Sequence, residues 1–331
     1  MDKKRSLVEN FIILSTIFIL VTALFWLFKG KNPLSCSERI DYDAFGTFGD
    51  YIGGVLGTIA AIFAAYFVYV TYRSQVITSR KQQIENHFYE LLRLHESNVA
   101  RLKADTPNIF TVYIENVKIF IDSVSEYNER KDKRWESHDM VIISYLFFFL
   151  GINNEFVKTE IRNSSNNIEM KDIDEINQHL VNKGIKYNGA YPELGIYFRQ
   201  LFQIVTYIDD KEELSYLEKY EYIKTLRVRL NIEEQYLLFL NSLCATGRNW
   251  ELKARNKAKV EQLQETKEKI EDTYFITKYN LLKNIPSHYS LIDIINVEDI
   301  YSDVDYEYGN TRANDRKRLT TIFEKYSKGQ G

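Results

Sequence analysis

Proton-transfer chemistry at neutral pH would have to draw on the five histidines of this 331-residue chain. His95-Glu96 does not open a metalloprotease box, because Val99 stands where the second histidine is needed one helical turn later. His87 and His95 could share a metal only with ligands from elsewhere, and no Cys/His cluster supplies them, so neither metal nor cofactor is expected. Six residues separate Arg80 from His87, which loosely fits the Arg/His spacing of small helical ribonucleases. There a cation and an imidazole would activate and stabilise a ribose 2′-oxygen. That spacing is also common by chance. Gly184 to Gly189 is followed by Ala190-Tyr191 and not Lys-Ser, so it is no phosphate loop, and neither G-x-G-x-x-G nor a G-x-S-x-G nucleophile turn occurs. The chain reads as a non-enzyme, with Arg80 and His87 as the pair an enzymatic alternative would use.

Five further polar residues lie on otherwise apolar helical stretches. His95 reads as a residue at a helix–helix seam, hydrogen-bonded to a Glu or to backbone. Arg199, Arg227 and the neighbouring Arg229 read as guanidiniums paired with carboxylates. With Asn241, residues His95, Arg199 and Arg227 are structural in this reading and ligand- or partner-sensing in the alternative one.

The elements that would position these groups begin with two apolar stretches. Phe11 to Phe28 carries no charge, and neither does Tyr51 to Tyr72; each is long enough for a helix that crosses the hydrocarbon core. A cleaved leader is disfavoured for the first, since no A-x-A site follows it. The linker holds Pro33, Glu38, Asp41 and Asp43 and is a short exposed crossover. The expectation is therefore a transmembrane hairpin over residues 1–75, with helices at about 8–28 and 50–72. Basic flanks at both outer ends place both termini of this multi-pass chain in the cytoplasm. Gly49, Gly53, Gly57, Ala61 and Ala65 recur every fourth residue and make a close-approach face. That face serves packing within the hairpin, assembly between copies, or both.

From residue 76 to about 290 an all-α cytoplasmic domain is expected, because Pro and Gly are few beside Leu, Ile, Glu and Lys. Cys36 and Cys244 lie on opposite sides of the predicted span, so no internal disulfide is expected. A formal charge of −3 with interleaved signs gives no field that would steer nucleic acid. Helical spacing predicts helices to about Leu102, over Thr111–Tyr127, Pro192–Asp209, Glu212–Arg229 and Ile232–Ala245. Asn231 and Glu234 make a capping box for the last of these, and Gly247 is placed to close it. Met140 to Ile152 is too short for a third span and suits a buried core helix or, as the alternative, an interfacial segment, and Asn153 to Asn188 is polar, with NSSNN at residues 163–167 as a loop. Glu251 to Asp272 reads as a solvated helix, and residues 291–331 as a charged, solvent-facing C-terminal segment.

Together the blocks FGDYIGGVLGTIAA, ENHFYELLRLHESNV, YFRQLFQIVTYID and YIKTLRVRLNIEEQYLLFLNSL, with KYNLLKNI as a fifth, resemble the putative phage abortive infection proteins. His95, Arg199, Arg227 and Asn241 fall on matching positions; His87 does not. The resemblance implies a bacterial defence protein with an N-terminal membrane hairpin and a helical cytoplasmic domain, acting by cell sacrifice or growth arrest on infection, with no established reaction. The effector so implied senses a trigger or partner through its helical domain and perturbs the inner membrane or halts growth. The alternative is a membrane-tethered ribonuclease-type toxin. Expected partners are inner-membrane lipid, a second copy, and a trigger or inhibitory protein or nucleoprotein of phage or host origin; no small-molecule substrate is expected.

Overall fold

The computed structural model describes residues 15, 16, 19, 42–165, 167–252, 272–286 and 291–306, with backbone only for 42–45, 48 and 52. The described residues are mostly helical and include no strand. The chain divides into two compact units, residues 1–76 and 77–331.

The first unit holds the apolar part of helix α1 (Tyr42–Asp105). The helix starts upstream of the expected residue 50, since nothing between Tyr42 and Asp50 is a proline and propagation is favourable once a helix is nucleated. Val55, Ile59, Ile62, Phe63 and Phe67 are all exposed. This helix is apolar and long enough to cross a membrane, which gives weak support for membrane association. The expected first span and its hairpin with α1 lie outside the described residues, apart from Ser15, Thr16 and Ile19.

In the second unit α1 buries Ile84, Phe88, Leu91 and Leu92, and it ends two residues before Pro107, as the steric demand of proline on its predecessor requires. Helix α2 (Ile109–Arg130) follows, then α3 (Ser137–Leu150). Val141 to Leu150 is buried on every side, so α3 is the core rod of the unit and not an interfacial segment. It touches α2, α4 (Glu155–Ser164), α6 (Tyr191–Asp209) and α8 (Ile232–Ser242).

The polar stretch from Asn153 to Asn188 contains α4 and α5 (Met170–Asn182), and α4 ends at Ser164, inside the expected loop of residues 163–167. Each buries only a thin apolar stripe, Val157 and Ile161 in one, Ile173, Ile176 and Leu180 in the other, so polar residues dominate the composition. Asn154 caps α4 by accepting from the Phe156 amide at 3.0 Å. Beyond α5 the chain runs against the end of α3, where Ile152 donates to the Tyr187 carbonyl at 3.0 Å and Ala190 to that of Phe148 at 3.1 Å. Gly151 and Gly189 stand at this crossing with φ of +96° and +92°. A Cβ on Gly189 would lie 2.5 Å from the Leu150 carbonyl carbon, so only glycine fits.

Helix α7 (Tyr216–Arg227) begins later than Glu212 because Ser215 and Glu218 form a capping box there. The expected capping box at Asn231 and Glu234 is complete and starts α8. A 3-10 helix (Ala245–Trp250), α9 (Phe275–Tyr279) and α10 (Val297–Ile300) finish the described chain. The solvated helix expected between Glu251 and Asp272 falls almost wholly outside the described residues. Residues 291–306, grouped by charge with the tail, bury Ile292, Ile295, Val297, Val304 and Tyr306 in the same core.

Candidate functional site

The helices of the second unit are tied by tyrosine phenols that donate to carboxylates. Tyr113 of α2 reaches Glu193 of α6, and Tyr127 of α2 reaches Glu175 of α5 at 3.0 Å. Tyr197 of α6 reaches Glu234 of α8 at 3.3 Å, and Tyr279 of α9 reaches Asp209 at the end of α6 at 2.5 Å. Burial, reinforced by the carboxylate, holds each phenol well above its ordinary pKa, so each stays a donor. A donor to an anion is the stronger class of hydrogen bond, which suits cross-helix ties.

One tie continues into the most polar part of the core. His95 of α1 packs on Tyr197 with ring centroids 4.9 Å apart and is only 3% exposed. Among the described residues the expected hydrogen bond to Glu or backbone is missing: neither ring nitrogen has a partner there, and neither has the amide nitrogen of buried Asn98 one turn on. Tyr197 in turn packs on Phe110 and Phe198. Burial accordingly pushes the His95 pKa down to about 4, so the ring is neutral. Glu234, 2% exposed, is pushed up by burial and pulled back by its bond from the Asn231 amide. The seam where α1 meets α6 thus pairs an unpartnered imidazole with a satisfied phenol–carboxylate tie.

Arg227 is buried, but it does not meet a carboxylate. Its Nη1 donates to the carbonyls of Tyr279 at 3.1 Å and Asn280 at 3.2 Å, and its guanidinium lies over Tyr220. Asn280 takes a left-handed conformation at the end of α9, and this turn presents both carbonyls. Arg199 and Arg229 are exposed, not half-buried. Arg199 rests on Tyr191 of its own helix, and Arg229 pairs with Glu96 of α1. Asn241 is buried and donates to the Tyr145 hydroxyl at 3.1 Å. Gly247 does not close α8; it lets the 3-10 helix press on Asn241, whose carbonyl oxygen would lie 2.1 Å from a Cβ there.

Arg80 and His87 are both exposed on α1. Seven positions of helix separate them by roughly 10 Å along the axis. His87 faces Glu90 at 3.3 Å and the edge of Tyr207. Gly49, Gly53 and Gly57 have no described atom within 4 Å of a notional Cβ, and Ala61 and Ala65 are exposed. No group of His, Cys, Asp and Glu among the described residues is arranged to hold a metal ion.

Among the described residues, fold and site define a helical protein with one apolar helix long enough to span a bilayer and a helical unit stitched by polar ties. Residues 190–254, which carry α6, α7, α8 and the 3-10 helix, match the family described as "Putative phage abortive infection protein". This match bears out the resemblance read from the sequence. Tyr197, Arg199, Arg227, Glu234, Asn241 and Gly247 all lie within the matched segment. No curated protein and no solved structure matches the chain.

Proposed function

We propose that the chain is a membrane-anchored effector of anti-phage defence that acts by abortive infection. The match over residues 190–254 carries this reading, because it covers the helices whose buried ties build the second unit. The helical unit senses a trigger or partner of phage or host origin. The apolar helix, in a hairpin with the upstream apolar segment and with both termini in the cytoplasm, then perturbs the inner membrane or halts growth. The exposed apolar surface of α1 and its uncovered glycine stripe support the membrane part, since helices in lipid associate through small-residue faces.

Phage challenge at low and high dose tests the role. Cultures expressing the chain should survive at low dose and collapse early at high dose; full survival of infected cells would contradict abortive infection. Reporters fused at Gly331 and near Ser37 test topology separately, and the proposal requires cytoplasmic and periplasmic readings respectively.

A further inference from the structure

Within the helical unit, residues 77–105 of α1 lie between two neighbours. On one side His87 meets Tyr207 and His95 meets Tyr197, with ring centroids 4.6 and 4.9 Å apart, so α6 runs antiparallel to α1. On the other, Lys81 pairs with Glu218 at 2.5 Å, Phe88 packs on Tyr222 with ring centroids 5.0 Å apart, and Glu96 pairs with Arg229 just past α7. The numbers rise together on both helices, so α7 runs parallel to α1. Lys81, Phe88 and Glu96 are spaced near whole turns of α1, as Glu218, Tyr222 and Arg229 are along α7, and each set makes one stripe.

Few side chains seat this part of α1. Ile84, Phe88, Leu91 and Leu92 are buried, and the seam continues with His95 and Asn98. Both ring nitrogens of His95 and the amide nitrogen of Asn98 lack a partner among the described residues. The closed seam therefore forfeits hydrogen bonds that these groups make with water once it opens. Helix α3, by contrast, buries every residue from Val141 to Leu150. The two ion pairs fasten α1 from outside, yet their four side chains are 40–44% exposed, and pairs so exposed hold weakly. The seat of α1 is thus shallow, partly unsatisfied, and fastened at both ends by charges that solvent reaches.

We propose that residues 77–105 of α1 form a releasable clasp with α7, fastened by Lys81–Glu218 and Glu96–Arg229, whose opening is the step between sensing and the response of the apolar part of the same helix. The clasp opens as a unit while the α3 core stays folded. Its place between sensing and response rests on the defence reading above; its separate opening rests on the geometry of the seam.

Hydrogen exchange read by mass spectrometry on the full chain in detergent tests the clasp. Lys81→Glu sets a like charge against Glu218, and Arg229→Glu does the same to Glu96. Neither residue is buried, and both substitutions leave the Ser215–Glu218 capping box in place. Each should speed exchange over residues 84–98 about fivefold, while residues 141–150 keep the parent rate. The swap Glu96→Arg/Arg229→Glu should bring residues 84–98 back to the parent rate. Unchanged exchange in both single variants, an equal rise over residues 141–150, or a swap that restores nothing would each overturn the proposal. Growth without phage reads the second half: Arg229→Glu should slow it, and the swap should not. Fast exchange with normal growth would overturn the clasp's place between sensing and response, whereas a parent that gives no phage protection would overturn the defence reading and leave the exchange result standing.

Discussion

The phenol of Tyr279 donates to the carboxylate of Asp209 at 2.5 Å, joining residues 70 positions apart. Lys278 pairs with the same carboxylate, and Lys219 donates to the Asp209 carbonyl at 2.5 Å. The end of α6 is therefore an anchor for both α7 and α9. Removing the phenol oxygen with Tyr279→Phe leaves the Lys278 pair in place, so the expected loss is about 1–2 kcal/mol. The thermal midpoint of the full chain in detergent should fall for this variant. An unchanged midpoint would show that the tie carries no stability.

His95 makes stability depend on pH. Its folded-state pKa of about 4 lies below the ordinary 6.5, so between those values the unfolded chain binds a proton that the folded chain rejects. Its contribution is fully present above pH 6.5 and declines as pH falls toward 4, reaching a loss of roughly 2 kcal/mol at pH 5. Glu234 and Glu251, raised by burial, act with the opposite sign, and His179, lowered by burial, with the same sign. Comparing the parent with His95→Leu cancels those groups. Unfolding midpoints at pH 7 and pH 5 should drop less for the variant; equal drops would place His95 in contact with water or a partner.

Two glycines should separate by mechanism. Gly184→Ala meets no atom within 4 Å and suffers only the strain of φ +78°, about 1 kcal/mol. Gly247→Ala drives a methyl group into the Asn241 backbone, and overpacking of this kind costs about 3 kcal/mol or more. Expression level and thermal midpoint of the two variants provide the check. Equal behaviour would mean that the 3-10 helix shifts freely off α8.

What the sequence shows of this protein is set by how locally each feature is encoded. The Asn231–Glu234 capping box, the unbroken apolar run of α3 and the apolar period of α6 act within a few residues and read directly. Helices α4 and α5 escape because two or three apolar residues each are enough to seat a thin stripe on α3 and α2. The polar ties escape entirely, since nothing local links Tyr197 to Glu234 or Arg227 to the Asn280 carbonyl. A guanidinium on an apolar helix suggests a carboxylate, yet a left-handed turn offers two carbonyls that serve as well. Glu234 was visible as a cap and not as the acceptor of Tyr197, because one residue performs both tasks.

The central claim is that defence works through the membrane helix and not through chemistry at Arg80 and His87. A potential-sensitive dye, followed in single infected cells carrying the parent, Gly57→Leu, or Arg80→Ala/His87→Ala, tests it most directly. Gly57 has no described neighbour within 4 Å, so leucine there leaves the described fold intact and blocks only the approach of another helix. The account predicts early depolarisation in the parent and in the Arg80/His87 variant, and none in Gly57→Leu, whose protection is lost. Protection that persists in Gly57→Leu without depolarisation, and disappears in Arg80→Ala/His87→Ala, would contradict it.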